Sequence, residues 1–77
     1  MKKIEELLKE LHPDYDYEGS EDFQADGLMD SFDLQRLVAA IEQEYGVGLA
    51  GTDLLPQNFA NTAAIRELLE GYGVEGA

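Results

Sequence analysis

The chain has 77 residues, room for one small domain and no more. Seventeen acidic against five basic residues give a formal net charge of −12, which disfavours nucleic-acid and anionic membrane partners and favours basic protein surfaces. There is no cysteine, so disulfides and thiolate metal sites are excluded, while an apolar content of 44% argues against disorder. Ile4, Leu7, Leu8 and Leu11 then recur at i, i+3, i+4 and i+7 and predict a helix of about three turns. His12-Pro13 ends it, because the residue before proline is pushed out of the helical region. Met1-Lys2-Lys3-Ile4 opens like a signal peptide, but Glu5, Glu6, Lys9 and Glu10 interrupt any apolar region. No run approaches a bilayer span, so a cytoplasmic protein without membrane insertion is expected.

Residues 13–30 form a long connection rich in Asp, Glu and Gly, with Phe23 and Leu28 as its expected anchors to the core. Asp14-Tyr15-Asp16-Tyr17 alternates like a strand, yet no second alternating segment exists to pair with it. Leu34, Leu37, Val38, Ile41 and Tyr45 predict the clearest helix, with Asp30 or Ser31 as cap, Asp33 three residues beyond Asp30, and Gly46 as a left-handed stop. Val47 and Leu49 alternate with glycines and read as a short extended stretch with both side chains inward. Thr52 or Asp53 opens a brief helix through Leu54, Leu55 and Phe59, with Pro56 tolerated only in its first turn. Asn61 or Thr62 caps a last helix carrying Ile65, Leu68, Leu69 and Tyr72, after which the glycines predict a frayed tail at 71–77. The expected fold is all-α: a single domain over 1–77, with three main helices and one short one packed as a small bundle.

Chemistry concentrates in Asp26-Gly27-Leu28-Met29-Asp30-Ser31-Phe32-Asp33-Leu34. This segment sets a serine at the first turn of the best helix, directly after a glycine-containing loop. Amides there lack intrahelical partners and the helix dipole favours negative charge, which suits a phosphodiester, although Asp30 and Asp33 oppose it. On the residues alone, Ser31 is either an ordinary cap or a hydroxyl open to modification.

Asp30-Ser31-Phe32 resembles the Asp-Ser-Leu signature of acyl and peptidyl carrier proteins, and Gly27-Leu28-Met29-Asp30-Ser31 their Gly-Leu-Leu-Asp-Ser approach. Leu37 to Gly46 is similar to the family's acidic, amphipathic second helix, and Asn58 to Ile65 to the segment joining its third and fourth helices. The resemblance covers nearly the whole chain. It implies an acyl-carrier-like bundle whose Ser31 holds a covalent 4′-phosphopantetheine drawn from coenzyme A. The role it implies is transport rather than catalysis: a stand-alone carrier, presenting a thioester, with no catalytic and no metal-ligating residue of its own. Its partners would be a phosphopantetheinyl transferase, an adenylating acid or amino-acid ligase, and a downstream acyltransferase or synthase. They would dock on the second helix and the loop before it, through Asp30, Asp33, Glu42 and Glu44 as acids and Met29 and Phe32 as apolar contacts. Two departures stand out. Phe32 replaces the commoner leucine, a feature associated with D-alanyl carrier proteins and other dedicated carriers. Arg36 stands on the partner-facing helix where many fatty-acid carriers have glutamate. Both point to a carrier serving one specialised ligase.

The alternative is an unmodified acidic helical module that only binds a partner. It shares fold and charge with a carrier and differs at Ser31. Asp14-Tyr15-Asp16-Tyr17-Glu18-Gly19 matches the opening of an EF-hand loop, but Ala25 stands where the closing glutamate is needed. His12 is the only histidine, and neither Ser20 nor Ser31 sits in a nucleophile elbow, so a hydrolase is not expected. The bundle is expected to be monomeric, with Tyr15, Tyr17 and Tyr72 as candidate contact residues.

Overall fold

A computed structural model describes all residues from Met1 to Ala77. The chain is all-helical, with α1 (Ile4–Leu11), α2 (Ser31–Tyr45) and α3 (Thr62–Gly71). Two 3-10 turns, Gly51–Asp53 and Pro56–Phe59, lie between α2 and α3, and no strand forms. No helix is long and apolar enough to cross a membrane.

Helix α1 turns Ile4, Leu7 and Leu8 into the core, as the apolar spacing requires. It spans the predicted stripe in eight residues, and Lys3 before it is extended and offers no side-chain cap. The unpaired amide of Ile4 donates instead to the Ala77 carbonyl at 2.7 Å. At the other end His12 is extended before Pro13, and its amide closes the last turn on Leu8.

The connection from Pro13 to Asp30 is held by three buried side chains, Tyr17, Phe23 and Met29, with Leu28 partly buried beside them. Phe23 meets the Tyr17 ring edge-on, with centroids 5.0 Å apart. Hydrogen bonds tie the same stretch to the start of α3: the Phe23 backbone amide donates to the Ala60 carbonyl at 2.6 Å, and the Asn61 side-chain amide donates to the Glu21 carbonyl at 2.9 Å.

Leu37 and Ile41 form the inner face of α2, flanked by half-buried Leu34, Val38 and Tyr45. Gly46 adopts the left-handed conformation, φ 66°, that lets the chain leave the helix without Cβ strain. Val47 and Leu49 pack against the core as expected. The brief helix expected through Leu54, Leu55 and Phe59 does not form as one piece. Pro56 forces Leu55 into an extended conformation, so two separate 3-10 turns result, with Leu54 and Leu55 exposed and only Phe59 buried.

Asn61 rather than Thr62 caps α3, its carbonyl oxygen accepting from the Ala64 amide at 2.8 Å. The tail corrects the expectation of fraying. Gly73 takes φ 82°, the Gly73 amide bonds the Glu70 carbonyl, and the Val74 amide bonds the Leu69 carbonyl. That pair of bonds is a Schellman turn, and it folds Val74 onto the core, with Ala77 following it to the start of α1. Tyr17 and Tyr72 are likewise not free contact residues. Tyr17 is buried, and the Tyr72 hydroxyl donates to Asp53 at 2.5 Å while accepting from the Ala50 amide.

Candidate functional site

The approach to Ser31 is fixed on the inside and open on the outside. Gly27, with φ 73°, turns the chain so that Leu28 and Met29 face inward; Met29 retains only 4% of its exposure. Met29 is therefore a core anchor and not an apolar partner contact, which corrects the sequence expectation. Its burial fixes where Asp30 stands, and Asp30 opens α2.

The cap is Asp30. Its Oδ1 accepts from the Asp33 amide at 2.7 Å, and Asp33 Oδ2 accepts in return from the Asp30 amide at 3.3 Å, a reciprocal capping box. Ser31 is thereby relieved of the capping role. It occupies the first helical position, exposed, with its hydroxyl making no hydrogen bond within the chain. The Ser31 and Phe32 amides also lack intrachain partners, as first-turn amides do. Phe32 follows with 66% of its surface exposed, among the most exposed large apolar side chains in the molecule.

Asp33 is a second correction. It is buried, at 8% exposure, and its Oδ1 faces His12 Nε2 at 2.9 Å and Arg36 Nη1 at 3.8 Å. Burial by itself would raise the Asp33 carboxyl, but the His12 imidazole and the Asp30 amide together hold it below the usual carboxylate range. His12 in turn stacks on Tyr15, with centroids 4.4 Å apart. Burial pushes the neighbouring Tyr17 phenol up to about 12, with the Asp33 charge adding to the effect, and that hydroxyl donates to the Leu28 carbonyl. Asp33 thus locks the end of α1 to the start of α2 instead of facing a partner.

Glu42 and Glu44 each also make a contact within the molecule. Both are half-buried; Glu42 accepts from the Leu49 amide at 2.9 Å and Glu44 from the Lys2 amide at 3.1 Å. Each carboxylate pins a neighbouring segment to α2. Of the expected partner-facing residues, only Asp30, Phe32 and Arg36 stand exposed around Ser31.

His12 is the residue that sequence reasoning missed, since it had read as a surface residue ending a helix. No spacing signal joins it to Asp33 across the long connection. An open groove of about 890 Å³ lies elsewhere, between α1, the 13–21 segment and the start of α3. Tyr15, Lys9, Asn61 and Arg66 line it, and Ser31 does not. Asp16 uses its carboxylate on the Glu18 amide at 3.0 Å, and nowhere do three or more His, Asp or Glu side chains converge as a metal site would need.

The site is therefore an exposed serine at the mouth of α2, backed by a buried methionine and a capping box whose Asp33 faces His12, and flanked by an exposed phenylalanine. In comparison with known proteins, the chain matches no family model, no curated protein and no solved structure.

Proposed function

We propose that the protein is a carrier that holds an acyl or aminoacyl group as a thioester on a 4′-phosphopantetheine arm attached to Ser31. The observation that carries this reading is the division of labour at the start of α2: Asp30 caps the helix, so Ser31 keeps an exposed, unengaged hydroxyl beside two unpaired amides. A phosphodiester on that oxygen fits the free amides and the positive end of the helix dipole. The Asp30 charge works against it, while the Asp33 carboxylate is turned inward toward the Asp30 amide and His12.

Arm attachment is a substitution at phosphorus. The Ser31 oxygen attacks the phosphorus of coenzyme A that carries the pantetheine. The pyrophosphate bond breaks, adenosine 3′,5′-bisphosphate leaves, and the hydroxyl proton passes to a base. No side chain of this chain hydrogen-bonds the Ser31 hydroxyl, so that base belongs to the transferase. Loading then joins an acyl-adenylate to the arm's thiol, with AMP and a proton released. The ligase that forms the adenylate and an acyltransferase or synthase that takes the thioester complete the set of partners. A D-alanylation carrier is the leading assignment, followed by an aminoacyl, aryl or short-acyl carrier of a biosynthetic route. On this reading the protein is a cytoplasmic monomer and not itself an enzyme.

The test is intact mass after incubation with coenzyme A and several broad-specificity phosphopantetheinyl transferases. One added phosphopantetheine on wild type and none on Ser31→Ala is the expected result. No mass gain in a folded sample with any transferase would make the unmodified interaction module the better account.

A further inference from the structure

In a chain of net charge −12, none of the exposed residues of α2 is an acid. The exposed residues of this helix are Ser31, Phe32, Gln35, Arg36, Ala39 and Gln43. All three of its acids are engaged within the molecule: Asp33 by the capping box and His12, Glu42 by the Leu49 amide, Glu44 by the Lys2 amide. Phe32 and Arg36 lie one turn apart and so share one side of the helix. Both are open to solvent, Phe32 at 66% and the Arg36 side chain at 48%. The 3.8 Å approach of Arg36 to Asp33 is too long for a strong pair and leaves guanidinium donors free. Asp30 borders this face at the helix start, and its carboxylate is already an acceptor in the cap.

We infer that the enzyme acting at Ser31 seats on this face of α2 with an apolar pocket for Phe32 and a carboxylate for Arg36, and not with a basic surface reading acids on α2. The inference rests on the carrier reading above and specifies the partner surface that serves it. Charge complementarity selects the occupant. A basic patch brought onto this face would meet Arg36 head-on and find the helix's own carboxylates tied to backbone amides and to His12. An acidic group opposite Arg36 meets a cation whose one contact within the molecule is the long approach to Asp33, and the field of the remaining acids around the rim disfavours any partner that does not align it there. An exposed phenylalanine beside the reacting residue supplies the desolvated anchor that concentrates binding energy at the centre of an interface.

The test compares Phe32→Ala, Arg36→Glu and Lys9→Glu as substrates of one phosphopantetheinyl transferase that modifies the wild type. Lys9 is exposed on α1, so Lys9→Glu makes the same change in net charge away from the face. The readouts are kcat/KM for arm attachment and, in a Ser31→Ala background, the transferase Kd by titration calorimetry. Thermal melts confirm that each variant is folded. Phe32→Ala and Arg36→Glu are expected to lower kcat/KM and weaken Kd about tenfold, with Lys9→Glu within about twofold of wild type. Arg36→Glu reacting as fast as Lys9→Glu, or faster, overturns the inference and leaves the carrier reading standing. Absence of any mass gain on wild type overturns the carrier reading and the inference with it.

Discussion

Two helices of this protein begin in the same way and present different surfaces. Helices α2 and α3 each open with an extended polar cap, Asp30 or Asn61, followed at the first helical position by a hydroxyl residue, Ser31 or Thr62. In both, the cap residue takes the amide three positions on, at 2.7 Å and 2.8 Å, and frees the hydroxyl from that task. A free hydroxyl at a helix mouth is therefore not what sets Ser31 apart. The difference lies in the surroundings. Ser31 is exposed and followed by an exposed phenylalanine, whereas Thr62 is half-buried and follows an Asn61 that ties down the Glu21 carbonyl. One start is arranged as a bracing point between segments and the other as an open presentation of one oxygen.

The sharpest way to break this comparison is at the two hydroxyls. Arm attachment should vanish completely in Ser31→Ala and persist unchanged in Thr62→Ala, read as intact mass after transferase treatment; an arm on Thr62 would show that exposure is not the discriminating feature. The caps come next. Asp30→Ala and Asn61→Ala should each lower stability by about 1–2 kcal/mol in urea melts, since each removes the acceptor for a first-turn amide, and Asn61→Ala also removes the bond to the Glu21 carbonyl. For a domain of this size, whose whole stability is roughly 4–12 kcal/mol, that is a large share.

Acid should separate the two starts more gently. The Asp33 carboxyl is held below its ordinary range in the folded protein, so the unfolded chain binds the proton more readily. The stabilisation is accordingly present above the ordinary carboxylate range near about pH 4 and is lost as pH falls through the lower folded value. Wild type should exceed Asp33→Asn by about 1 kcal/mol near neutrality, and the gap should close in urea melts repeated toward pH 3. The neutral Asn61 cap predicts no such acid dependence at α3. The smallest effect belongs to Ser31→Ala itself, which should change stability by less than about 0.5 kcal/mol, because Asp30 and not Ser31 is the cap. A loss of 1 kcal/mol or more would return Ser31 to a structural role.

The sequence made the helices and the position of Ser31 legible, because both are written in local signals. Apolar spacing of 3.6 marks the buried faces of α1, α2 and α3, and the Asp30 to Asp33 spacing is itself the signature of a capping box. Side-chain direction in the loops was not legible. Met29 sits in a segment with no periodicity, so nothing in the sequence distinguishes inward from outward there. Leu54 and Leu55 read as part of one brief helix until Pro56 is followed through to its effect on Leu55. The inward turn of Asp33 depends on His12, which only the tertiary fold brings within reach. The tail was misread because glycine's conformational freedom serves order as well as disorder, and Gly73 uses it to reverse the chain at a defined turn.

The bond from the Ile4 amide to the Ala77 carbonyl makes the backbone nearly a closed ring. A few residues of linker would join its ends with little loop-closure entropy. New termini could then be opened in the exposed stretch around Gly51, and the rearranged chain should reach the same core with Ser31 still at the mouth of its helix.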